Sequence, residues 1–235
     1  MFAKMESGFV FFVLCVAFAS GQTLLQRAHV VNHDKFFTEA MQETIFELER
    51  RGFSTLKLTN ITQNINTTMY RFQVLGTVDY YNGFLVSIQH ISVTNMRQTV
   101  GTNTVDGVSA PTATVHGNLN LLDTRLGYDV LYKPTEGEPH HFTGDFYHGS
   151  IRWLISIMKN LNTKEITLSL TSEASGGLVY MSYRPDTNIS QVLSRHFFPY
   201  NNADGVRTWT NTLSPIMLDV IANKVLFPEV CYSHC

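Results

Sequence analysis

Nine histidines, three cysteines and a few serines are the residues here that could do bond chemistry. His29 and His33 stand four apart, and His140, His141 and His148 fall around one loop. Neither group belongs to an H-E-x-x-H or comparable ligand array, so they read as solvated loop and helix-start histidines rather than metal ligands. A hydrolase built on the second group is the remotest expectation. Ser109 and Ser150 lack the G-x-S-x-G setting, and the strand-turn-helix context, that would expose a nucleophile. Gly176-Gly177 suits a hairpin better than a phosphate cradle. No catalytic residue, metal site or cofactor is therefore expected.

The compartment follows from the first residues. Lys4 opens a short basic start, Gly8 to Ala19 is apolar, and small residues lead to Gly21, so residues 1–21 read as a signal peptide. Residues 22–235 are then one exported domain, large enough for a real core. No later stretch is long and apolar enough for stable membrane insertion. Without the leader the balance is 16 basic to 18 acidic residues, still a net charge of −2, and no basic run appears, so nucleic acid is not an expected partner. Cys15 leaves with the leader. Cys231 and Cys235 then read as a disulfide closing a small loop, with intermolecular pairing or a thiol-metal site with His234 as lesser alternatives. Asn60, Asn66 and Asn188 open three sequons, as an extracellular glycoprotein would carry.

The elements come in an unusual order: helix, strands, helix. Phe37, Met41, Ile45 and Leu48 recur at helical steps between His33 and Arg51, with Asn32 or Asp34 as cap and Gly52 as stop. The stretch 55–66 is polar and reads as a connection. From Met69 the apolar period changes to two, and six or seven antiparallel strands are expected. Asn82-Gly83 predicts a hairpin whose return strand slips phase at Gln89-His90, a bulge that would bend the sheet. Asp106-Gly107 and Asp123-Thr124 predict further turns, and Ser175-Gly176-Gly177 predicts a hairpin between the strands around Leu168 and Tyr180. A short helix over 189–198 ends at Pro199. A final helix over about 204–226 carries a broad apolar stripe from Val206 through Trp209, Leu213 and Met217 to Val225, with Pro215 inside it.

Helices that bracket a sheet can bury their apolar faces by having it curve around one of them. Sixteen Phe, ten Tyr and two Trp suit an apolar interior with a few hydroxyls to orient a ligand. The residues expected to line it are Tyr70, Phe72, Val74, Phe84, Val86, Val115, Leu119, Tyr128, Val130, Tyr180, Trp209, Leu213 and Met217.

The segment 112–133, TATVHGNLNLLDTRLGYDVLYK, together with the helix-sheet-helix order, resembles the group 7 mite allergen family. That family is part of the tubular lipid-binding superfamily, with bactericidal permeability-increasing protein and insect juvenile-hormone-binding proteins. The resemblance spans about Asp34 to Glu229. It implies an α+β super-roll, a strongly curved antiparallel sheet wrapped around a long C-terminal helix. It also implies a non-catalytic protein that carries or senses a lipid or other hydrophobic small molecule, such as a fatty acid, sterol, terpenoid or carotenoid-like pigment. Hormone-binding relatives carry a cysteine pair near the mature amino terminus; this chain has its pair at the other end, which argues against a hormone carrier specifically. The alternative expectation is a secreted innate-defence or protein-interaction module with a filled core, meeting its partner through a loop near 134–148.

Overall fold

The computed structural model describes residues 27–52, 57–69, 71–88, 90–105, 108–173, 176–196 and 199–232. The leader, Tyr70, Asp106-Gly107, Cys235 and the side chain of Trp209 lie outside the described residues.

Among the described residues nine strands and three helices follow in order: β1 (His29–Val30), α1 (His33–Arg51), β2 (Ile61–Met69), β3 (Phe72–Ser87), β4 (His90–Val105), β5 (Val108–Pro134), β6 (His140–Asn160), β7 (Ile166–Ser172), β8 (Gly176–Arg184), α2 (Asn188–His196), α3 (Pro199–Asn223) and β9 (Val230–Cys231). β1 pairs with β9, bringing residues 29–30 beside 230–231. The other seven strands form one antiparallel sheet in the order β2-β3-β5-β6-β7, with β4 also on β5 and β8 also on β6.

The long pair β5 and β6 is the spine. At one end it carries β4 and β7; at the other it carries β3, β8 and, beyond β3, β2. Between these halves the sheet is creased. On β5 the most deeply buried side chains are Ala113, Val115, Leu119 and Leu121, then Thr124, Leu126, Tyr128, Val130 and Tyr132. On β6 they are Phe142, Phe146 and His148, then Ile151, Trp153, Ile155 and Ile157. Both strands change parity together because their register runs unbroken through Leu122↔Ser150 and Thr124↔His148. Asp123, at φ 51°, supplies the left-handed residue that reverses the pleat. Shifts between Leu85 and Ser87 on β3, and between His148 and Ser150 against β8, continue the crease outward.

Several expectations are corrected here. Asp123-Thr124 is a kink within one 27-residue strand, not a turn. Asn82-Gly83 is a bulge inside β3, with Asn82 at φ 52°, and no hairpin forms there. β3 instead leads end to end into β4 along β5, in one register from Ser87↔Arg125 to His90↔Leu122, so the phase slip expected at Gln89-His90 falls at the break between two collinear strands, with Gln89 itself outside the described residues. β7 and β8 do not pair with each other: β6, at 21 residues, seats them end to end along one edge. Residues 61–66, expected to belong to a connection over 55–66, are part of an edge strand, Ile61–Met69, whose outward Thr62, Asn64, Asn66 and Thr68 hide its alternation. Polar edges of this kind are how sheets avoid pairing with other chains.

The super-roll around a long C-terminal helix is likewise corrected. The chain is mainly sheet, and α3, at 25 residues, spans about 38 Å against about 90 Å for β5. A helix enclosed by a sheet must be apolar all round. Instead α3 buries Leu213, Ile216, Met217, Val220 and Ile221 and exposes Leu218, Asp219, Ala222 and Asn223. It lies against β7 and α1 as a neighbour rather than an axis.

The first helix has its expected bounds, from Asn32, at φ 50°, to Gly52, at φ 86°. Its buried Glu47 joins it to the end of α3, accepting hydrogen bonds from Arg50 at 2.6 Å, Arg51 at 2.7 Å and Lys224 at 3.0 Å. Those cations, Arg50 foremost, hold the carboxyl far below the usual range. No described helix is long and apolar enough to cross a membrane.

Candidate functional site

The edge strand missed in the sequence builds one wall of a cavity. β2 turns Gln63 and Ile65 inward, and β3 sets Val78 and Tyr80 beside them, in register through Gln63↔Val78 and Ile61↔Tyr80. α2 covers the gap with Leu193 and His196. Thr187 starts that helix by a reciprocal exchange: the Ser190 amide donates to Thr187 Oγ1 at 3.1 Å and the Thr187 amide donates to Ser190 Oγ at 2.7 Å. Its last turn is tied back to β2 through Thr67 Oγ1 and His196 Nε2, 2.8 Å apart. The enclosed space is about 280 Å³, near the lower end of small-molecule sites.

Its lining is mixed, with Gln63, Asn64, Asn66, Tyr80 and His196 beside the apolar Ile65, Val78 and Leu193. Tyr80 and Tyr183 share a 2.9 Å hydrogen bond, and Tyr80 donates a longer one, 3.4 Å, to Gln63 Oε1. Gln63 Nε2 is buried and has no hydrogen-bond partner among the described residues. Burial pushes the Tyr80 phenol up to about 12 and Tyr183 well above its ordinary value, so both stay neutral and act as hydrogen-bonding groups. Tyr128 packs edge-on to Tyr80 at 6.1 Å and Phe142 edge-on to Tyr183 at 6.2 Å, fixing both rings. The arrangement can hold an apolar body and one hydrogen-bonding head.

The expected lining residues divide between the two faces. Val74, Val115, Leu119, Tyr128, Val130, Leu213 and Met217 are buried in one cluster with the inner residues of α1 and α3, which fill the space between sheet and final helix. Phe84, Val86 and Tyr180 are exposed on the opposite face. Phe84 and Val86 lie over Gly127, and Tyr180 stacks on Tyr147 at 5.0 Å. The bulge at Asn82 is the cause for β3, since it reverses which residues face in. Phe72, near the β2–β3 turn, is 47% exposed. Tyr70 and the side chain of Trp209 lie outside the described residues. The residues missed were Gln63, Ile65, Val78, Leu193 and His196; the period-two run Ile61, Gln63, Ile65 is the signal that could have found the first two.

The histidines scatter. His33 Nε2 contacts Asp34 at 2.9 Å; His140 stacks between Tyr132 and Phe142 at 6.0 and 6.4 Å; His148 is fully buried. Among the described residues no three His, Cys, Asp or Glu side chains gather as a metal group. Ser150 lies mid-strand on β6. Asn60, Asn66 and Asn188 are all exposed, and Cys231 is buried on β9. Beyond Pro134 the loop over 135–139 exposes no large apolar side chain.

No family model matches the chain, and no curated protein does either, so the group 7 allergen resemblance gains no support. Among solved structures the chain is similar to lipopolysaccharide binding protein, with a TM-score of 0.40 and 6% identity over 74% of this chain. The match covers 37% of that protein, so the chain spans little more than a third of its length.

Proposed function

We propose that this is an exported, non-catalytic binding protein that takes a small amphipathic lipid, such as a fatty acid or terpenoid, into the cavity between β2, β3 and α2. The carrying observation is Gln63 Nε2, buried and without a hydrogen-bond partner among the described residues, in a cavity lined by Ile65, Val78 and Leu193 together with Asn64, Asn66, Tyr80 and His196. A buried amide without a partner costs about 1 to 3 kcal/mol, which a ligand carbonyl, carboxylate or hydroxyl recovers. Ile65, Val78 and Leu193 reward a hydrocarbon body by about 25 cal/mol per Å² covered. The neutral phenols of Tyr183 and Tyr80 pass a hydrogen bond to Gln63 Oε1 and so orient its amide without adding charge.

Solvent extraction of the purified full-length protein, followed by mass spectrometry, tests the reading. The expected result is one co-purifying amphipathic species in near-stoichiometric amount, lost from a Leu193→Trp variant that fills the cavity. Recovery of the same species at the same level from that variant would place it elsewhere.

A further inference from the structure

A second site lies on the sheet face opposite α1. The Phe37 ring covers Gly117 from the α1 side, so alternate side chains of β4, β5, β6 and β7 point away from it. They line a groove of about 730 Å³. Arg97, His116, Ser156 and Ser169 stand in one cross-strand row, each opposite the next, and span about 14 Å. Asn118, Leu154 and Thr171 form the adjoining row.

Two groups in this groove are unspent. Asn118 is only 8% exposed, lies on the groove floor, and makes no side-chain hydrogen bond among the described residues. Arg97 makes no side-chain hydrogen bond or ion pair among them. The second cation is already compensated, since Arg152 donates to Glu173 at 3.3 Å and to Asn120 at 3.2 Å. An unpaired guanidinium suits a carboxylate, sulfate or phosphate, which it grips in bidentate fashion. The floor amide and the surrounding hydroxyls match vicinal sugar hydroxyls, and Leu154, 39% exposed, offers an aliphatic surface to the C–H face of a ring.

We infer that this groove binds an anionic saccharide, independently of the lipid cavity. Arg97 takes the anionic substituent while Asn118 takes a hydroxyl pair.

The test is calorimetric titration of the full-length protein with trigalacturonate, a heparin tetrasaccharide and neutral maltotriose. At least one anionic probe should bind about tenfold or more tightly than maltotriose, and more weakly as salt rises. Arg97→Gln, at an exposed position, should bring it to the maltotriose level. Asn118→Ala should weaken it about fivefold or more with the urea midpoint unchanged, because no protein hydrogen bond is removed. Neither anionic probe binding at millimolar concentration, equal binding of maltotriose, or indifference to Arg97→Gln would each overturn the assignment.

Discussion

At the scale of single residues, the crease concentrates unmet polar chemistry. Among the described residues His148 has no hydrogen-bond partner at either ring nitrogen, and the Thr124 hydroxyl opposite it has none either. Burial drives the imidazole down to about 4, so it is neutral in the folded protein at pH 7. In the unfolded chain it titrates near 6.5. Between those values the unfolded state binds more protons, so this residue leaves stability intact above about pH 6.5 and erodes it as pH falls toward 4. The expected loss between pH 7 and pH 4.5 is about 2.5 kcal/mol. Urea unfolding of the wild type and His148→Leu at both pH values measures it: the variant should lack that share of the acid sensitivity. Equal sensitivity in both would show that His148 is already open to water. Sequence reading grouped His148 with His140 and His141 around a solvated loop; parity along a 21-residue strand decided otherwise.

Among the elements, α1 sits where the sheet makes room for it. A Cβ added at Gly117 would lie 2.5 Å from the Phe37 ring, so Gly117→Ala should push α1 off β5 and cost about 1 to 3 kcal/mol in urea unfolding. The α1–α3 link is testable separately. Glu47→Gln keeps the shape and removes the charge that three cations share, and should lower the melting temperature. On α3, Met217→Ala should cost about 2 to 5 kcal/mol, while Leu218→Ala, on the exposed side, should change little. These elements were unequally legible. α1 was readable residue by residue because its period and both ends are local signals. β2 was not, because an edge strand with Thr62, Asn64 and Asn66 outward resembles a loop. The crease was also hidden: Asp123 and Asn82 carry turn residues, and only pairing to β6 and β5 shows that the strands continue through them.

For the whole molecule, sheet and final helix pack solidly where an open interior was expected, and the space lies to one side, under α2. Most of the expected lining residues do the work of a core, since local alternation identifies an inward face but not which part of it stays empty. The face that is filled supports the one that is not: Tyr128, pinned against Tyr80, holds the phenol that meets Gln63. The central claim is that this cavity binds an amphipathic lipid through Gln63. Fluorescence titration with cis-parinaric acid measures it directly on the full-length wild type, Gln63→Leu and Leu193→Trp. The account predicts saturable binding of one molecule per wild-type chain, about tenfold weaker with Gln63→Leu and abolished by Leu193→Trp. Equal affinity in all three proteins, or no binding to the wild type, would contradict it.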